Sequence, residues 1–124
     1  MDAITILQAE VLRTLASPRR LEILHALATG PIKVGRLATS LGASQPNVSQ
    51  HLAVLRSAGV VEAQREGRVV RYRLADPDVI VACGLMRAVL ERRLTRLSEL
   101  AASGEAAAGP PAAPISLATH SAPR

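Results

Sequence analysis

Residues 44 to 59 read SQPNVSQHLAVLRSAG, and the fold turns on whether this stretch is a helix with two unlike faces. Ser44 is a good N-cap type, and Gln45 and Pro46 fall in the first turn, where a missing backbone N–H breaks no bond. Val48, Leu52 and Leu55 recur at i, i+4 and i+7, which makes one apolar stripe, and Gly59 stops the helix. Pro46, Ser49, Gln50 and Ala53 fall on the opposite side. A solvated face normally carries Glu and Lys. This one has no charge before Arg56, and short hydroxyl and amide groups are what base-edge readout uses. An ordinary polar helix face would account for the stretch taken alone, so its neighbours decide.

Immediately upstream, Val34, Leu37, Ala38 and Leu41 repeat at helical spacing, and Gly42-Ala43 breaks that helix just before Ser44. Helix, tight turn of about three to four residues, helix is the arrangement of a helix-turn-helix, with Gly42 at the position that needs positive φ. Further back, Ile4, Leu7, Val11 and Leu15 predict a first amphipathic helix. Ser17 caps and Pro18 opens a second, carried by Leu21, Leu24, Leu27 and Ala28 to Gly30-Pro31. His25 sits in it as a partly buried helix histidine, since no second ligand is spaced with it for a metal.

After Gly59 the period becomes alternating, VVEAQREGRVVRYRLAD over 60–76. Val61 and Ala63, then Val70, Tyr72 and Leu74, share one face of two strands, with Glu66-Gly67 as the predicted hairpin turn. Arg65, Arg68, Arg71 and Arg73 lie on or beside this hairpin, a placement suited to phosphates and a minor groove. Asp76-Pro77 then opens a long helix to about Ala102. Along it Ile80, Cys83, Leu90, Leu94, Leu97 and Ala101 form a 3-4 series broken only by Arg87, the seam of a helix packed on another helix. Its length predicts a homodimer contact made with the first helix and a symmetry mate, with packing inside one chain as the plainer alternative. Ser103 to Arg124 holds half of the eight prolines and no periodicity. It reads as a disordered Ala/Pro-rich tail, residues 103–124, behind a single domain of residues 1–102; His120 within it has no assigned role.

Composition bounds the partners. The 124 residues are 48% hydrophobic but only 1% aromatic, a lone Tyr72, so the core is built from Leu, Val, Ile and Ala and no stacking platform for single strands is available. Lys plus Arg outnumber Asp plus Glu 15 to 10, with Lys33 the sole lysine and a pI near 11.0, a balance that suits a phosphate-bearing partner. With Cys83 the one cysteine, no intrachain disulfide can form. The MDAITILQAE start has no basic leader and no apolar run approaches the roughly 18 residues of a membrane span, so a cytoplasmic location without membrane partners is expected. Histidines at 25, 51 and 120 make no catalytic constellation, and an enzyme is not expected.

On the segments LASPRRLEILHAL (15–27), VGRLATSLGASQPNVSQHLAVLRSAGVVEAQREGRVVRYRL (34–74) and the closing helix, the sequence resembles the ArsR (SmtB) family of small winged-helix bacterial repressors. The resemblance covers roughly residues 3 to 101. It implies a mostly α fold with a β-hairpin wing (α+β), a winged helix-turn-helix of five helices with the hairpin between the fourth and fifth. It further implies a homodimer through the first and fifth helices, the fourth helix in the major groove of double-stranded DNA, and repression relieved by an inducer. The expected DNA-facing set is Ser44, Gln45, Asn47, Ser49, Gln50, His51, Arg56, Arg65, Arg68 and Arg71. Gln45, Ser49 and Gln50 would read bases, flanked by Asn47 and His51, and Arg65 and Arg68 would hold the backbone or the minor groove. A two-fold dimer would take an inverted-repeat operator with half-sites one or two helical turns apart, roughly 34 Å per turn.

The family's metal sites are where the chain departs. The thiolate site needs Cys-x-Cys on the third helix, and VGRLA has none; the site on the last helix needs Asp and His, and Asp76, Asp78 and Glu91 occur there without a His. Persulfide-sensing relatives use two cysteines. The chain is therefore most similar to the metal-independent branch, with no cofactor and no metal residues expected. Two alternatives stand beside this reading: a winged-helix module for protein contacts only, and a redox-responsive repressor acting through Cys83.

Overall fold

The computed structural model describes residues 1–104, so all but the first two residues of the expected disordered tail lie outside the described residues. In chain order the elements are α1 (Ala3–Leu15), α2 (Pro18–Ala26), a 3-10 turn (Leu27–Thr29), β1 (Ile32–Lys33), α3 (Val34–Leu41), α4 (Gln45–Ser57), β2 (Val61–Glu66), β3 (Val69–Leu74) and α5 (Asp78–Ser103). The helix starts follow from side-chain oxygens that take up backbone N–H groups with no partner inside the helix. Asp2 Oδ1 accepts from Thr5 N at 2.9 Å, Ser17 Oγ from Arg20 N at 3.3 Å, Ser44 Oγ from Asn47 N at 3.2 Å, and Asp76 Oδ1 from Asp78 N at 2.9 Å. Hydrogen bonding to Thr5 holds the Asp2 carboxyl below its ordinary value, because these bonds favour its charged form.

The core lies where α2, α3, α4 and the root of the hairpin meet. Ile23, Leu24, Leu37, Val48, Leu52 and Leu55 are completely buried, with Leu15, Leu27, Ala38, Val60 and Val61 around them. All three residues of the expected α4 stripe are in this set. For α2 the inward face differs from the expected one. Ile23 is buried and Leu21 is 42% exposed. At about 100° per residue, a face centred on Ile23, Leu24 and Leu27 leaves Leu21 well to one side. The second helix also stops being α-helical at Ala26 and ends through the 3-10 turn at Gly30.

Between α3 and α4 the chain turns in three residues. Gly42 adopts φ 64°, ψ 32°, and Ala43 N returns to Ala38 O at 3.0 Å, so the last carbonyls of α3 are satisfied while α4 sets off in a new direction. The sheet is three-stranded and antiparallel in the order β1-β3-β2. Val61 faces Leu74, Ala63 faces Tyr72 and Arg65 faces Val70, so the predicted apolar alternation falls on one face. The turn lies one residue later than expected: Glu66 pairs with Val69, leaving Gly67-Arg68 as the two-residue loop. Gly67, at φ 63°, takes the first central position, where a II′ hairpin turn needs glycine. Strand β1, absent from the sequence reading, pairs Ile32 with Tyr72 and Lys33 with Arg71 and so ties the hairpin to the start of α3.

The long helix α5 contributes no fully buried residue. Only its start, Val79, Ile80 and Cys83, packs on the core. Beyond it, apolar side chains stand open on more than one side, among them Leu85 and Leu94 at 66% and 56% exposure. Ile4, Ile6, Leu7 and Leu12 of α1 are likewise exposed.

Candidate nucleic-acid interface

The buried stripe of α4 fixes which of its side chains face outward. With Val48, Leu52 and Leu55 anchored in the core, Ser44, Gln45, Pro46, Ser49, Gln50, Ala53 and Arg56 are all exposed. The face is uncharged over its first three turns and carries Arg56 in its last, where a cation suits the helix dipole. The side chains of Ser49 and Gln50 make no hydrogen bond among the described residues, so their donors and acceptors are available to a ligand. The side-chain oxygen of Gln45 lies 3.5 Å from where a Cβ on Gly35 would stand, so the amide rests across the first turn of α3.

The two residues expected to flank the base readers are only partly exposed. Asn47 is half-buried, with its Oδ1 enclosed and without a hydrogen-bond partner. His51 is also half-buried, and its Nδ1 accepts a hydrogen bond from Arg20 Nε of α2 at 3.1 Å. Both sit on the border between the outward face and the buried stripe, as their positions one residue before Val48 and one before Leu52 dictate.

The wing divides its four arginines into two pairs. Arg73 donates to Glu62 Oε1 through Nε at 3.1 Å and Nη2 at 3.0 Å, and Arg71 Nη1 lies 3.3 Å from Glu66 Oε1. These are exposed ion pairs, of the kind worth about 0–1 kcal/mol. Arg65 and Arg68 have neither a hydrogen bond nor an ion pair among the described residues. Arg68 stands at the hairpin tip and Arg65 on the edge strand β2 beside it, which makes the end of the wing the part with uncompensated positive charge. Arg71 comes with a carboxylate already on it, a difference that the spacing of arginines along the strand gave no means to see.

Cys83 is half-buried against the core. Among the described residues no three His, Cys, Asp or Glu side chains are grouped as a metal ion would need, and no helix is long and apolar enough to cross a membrane.

A short turn between α3 and α4, an exposed α4 face of amide and hydroxyl groups, and an arginine-tipped hairpin beside it define a winged helix-turn-helix. The sequence profile of the family described as "Bacterial regulatory protein, arsR family" matches residues 17–63. The HTH-type transcriptional regulator Rv0081 of Mycobacterium tuberculosis is 42% identical over 105 residues, 81% of this chain and 92% of that protein. The HTH-type transcriptional regulator CmtR of the same organism is 47% identical over 97 residues, 76% and 82% of the two chains. A solution structure of a homodimeric winged helix-turn-helix DNA-binding domain from Mycobacterium bovis superposes with a TM-score of 0.69 at 38% identity, covering 76% of this chain and 87% of that one. The chain belongs to the arsR family of bacterial regulatory proteins. It is a DNA-binding transcriptional regulator, and that membership sets aside the enzyme reading.

Proposed function

We propose that the chain is a homodimeric cytoplasmic repressor that places α4 in the major groove at each half of an inverted-repeat operator. Gln45, Ser49 and Gln50 read base edges there, with Ser44 at the helix start. Arg65 and Arg68 hold phosphates or the minor groove, and Arg56 and Arg71 add positive charge at the margins. One observation carries this reading: the exposed, uncharged side chains of Ser49 and Gln50 stand on a helix that packs against strand β2 of a wing whose tip arginines lack partners among the described residues. A module for protein contacts alone would need neither. The dimer is supported by the open apolar surfaces of α1 and α5, which exceed what scattered exposed residues on a monomer require, and by the homodimeric relative.

The inducer in this reading is not a metal. Tight zinc sites take three or four Cys, His or carboxylate ligands in fixed geometry, and α3 has no Cys while α5 has no His. Titrating zinc, nickel, cadmium or arsenite, with and without chelator, should leave operator affinity unchanged; a stoichiometric metal that alters it overturns this part. The function itself is tested by recovering genomic fragments bound by the purified protein and measuring gel shifts on them at two salt concentrations. The expected outcome is a small set of fragments bound far more tightly than random DNA, with affinity falling steeply with salt. Equal affinity for fragments and random DNA, or none for either, overturns it.

A further inference from the structure

We propose that Arg19 and Arg20, in the first turn of α2, are positioning residues that fix how α4 is presented to DNA, Arg20 through His51 and Arg19 through the end of α3. The proposal deepens the reading of α4 as the recognition helix and rests on it.

Arg20 occupies an odd place for a cation. It stands at i to Leu24 at i+4 and Leu27 at i+7, on the stripe that α2 buries, and it is half-buried there. Each end of its guanidinium is used. Nε donates to Nδ1 of His51 on α4 at 3.1 Å, and Nη1 donates to the carbonyl of Thr14 at 2.9 Å. Thr14 lies in the last turn of α1, where carbonyls have no partner within the helix and a cation is favoured. Arg19 turns the other way, its Nη1 donating to the carbonyl of Leu41, the last residue of α3, at 3.3 Å and meeting Glu22 at 3.0 Å. Two consecutive side chains therefore reach the ends of α1 and α3 and the middle of α4.

The buried stripe of Val48, Leu52 and Leu55 sets which face of α4 turns inward, and a side-chain bond to a neighbouring helix adds a directional restraint to that non-directional packing. Hydrogen bonds weaken steeply when bent, so a bond from α2 to the middle of α4 narrows the small rotations that packing still permits. His51 follows Gln50 directly, and a change in its direction carries Ser49 and Gln50 with it. A planar fork of five donors can serve two acceptors in different directions at once, which a lysine ammonium cannot reproduce with the same geometry. The Arg20 contact to Thr14 also ties α4 to α1, whose outer surface is apolar and open, so the same side chain bridges the reading surface and that face.

The test compares specific and non-specific DNA binding by Arg20→Ala, His51→Ala, the double variant, Arg20→Lys, His51→Asn and, as reference, Gln50→Ala, with melting curves for each. Arg20→Ala and His51→Ala should each lower affinity for the selected operator roughly tenfold or more, the range of a lost hydrogen bond to a charged group. The double variant should be no worse than Arg20→Ala alone, because removing Arg20 already breaks its bond to His51. His51→Asn, whose Oδ1 replaces the acceptor, should restore most of the operator affinity, and His51→Ala should leave non-specific binding unchanged. Losses that add in the double variant, or His51→Asn as weak as His51→Ala, would mean that His51 touches DNA itself or only fills space, and the proposal falls. Should the alanine variants fail to fold, Arg20→Lys and His51→Asn carry the comparison alone: loss in the first with retention in the second supports the clamp, and the reverse overturns it. Gln50→Ala separates the two levels. If it lowers operator binding while the Arg20 and His51 variants do not, only the clamp is wrong; if none of them does, the reading of α4 is wrong.

Discussion

The segment from α2 through β3 and the pair α1 and α5 are built from similar residues, yet they end in opposite states. In the first, most leucines and valines at helical or alternating spacing are buried or half-buried, with Leu21 and Val54 the exposed exceptions, and the polar residues left outside form a surface with a definite chemistry. In the second, apolar residues just as abundant stay open, and a 26-residue helix buries none of its side chains fully. One region completes its core within a single chain, and the other is, in the proposed dimer, half of an interface. In this reading recognition and assembly are divided between different elements, which Arg20 joins alongside the core contacts of Leu15, Val79 and Ile80.

The largest expected effect tests the self-sufficient half. Leu52→Ala removes a fully buried side chain of α4 and should cost about 2–5 kcal/mol of stability through lost transfer energy and the cavity left behind. Urea unfolding at fixed protein concentration checks this, and a cost near zero would mean that α4 is not part of the core. The counterpart is Leu94→Glu on α5, where the side chain is 56% exposed. It should leave the circular dichroism of the chain intact while sedimentation shows the dimer shifted to monomer. If the dimer survives unchanged, α5 is not the interface.

Smaller effects sharpen the contrast within the wing and at α1. Arg68→Ala should weaken all duplex DNA alike and reduce the slope of log K against log salt by roughly 1, as the loss of one phosphate contact requires; a loss confined to one sequence would mean base contact instead. At the start of α1, the Asp2 cap bond depresses the carboxyl's folded value. Its stabilisation is therefore present above the unfolded value and lost as pH falls through the folded one. Acid titration of wild type against Asp2→Asn should show a slight difference in melting temperature at neutral pH that closes on acidification, since Asn also caps but does not titrate.

Much of this organisation is legible along the chain because its causes are local. The α4 stripe, the Ser44 cap and the Gly42 break each depend on residues within a turn of one another, and all of them stand in the fold. The hairpin alternation was equally readable. Its turn shifted by one residue because both Glu66-Gly67 and Gly67-Arg68 offer a glycine, and the choice falls to the register that seats Ala63 opposite Tyr72. The α2 face was ambiguous for a related reason: Leu21 and Ile23 both extend a stripe through Leu24 and Leu27, and only the position of the neighbouring helices selects one. Strand β1 is two residues long and exists by pairing with β3, a contact no local pattern encodes. In the candidate interface, Gln45, Ser49 and Gln50 follow from the helix period alone. The engagement of Arg71 with Glu66 and of His51 with Arg20, 31 residues away in sequence, depends on tertiary neighbours.

The most direct measurement of the central claim is the affinity of Gln50→Ala for the selected operator and for an unrelated duplex of equal length, at one salt concentration. The Gln50 side chain is exposed, uncharged and without a hydrogen bond among the described residues, so its truncation should leave the fold intact. A loss of about 1–3 kcal/mol on the operator, relaxed preference at one base pair, and no change on the unrelated duplex are expected. An equal loss on both, or none on either, would contradict the placement of α4 in the groove.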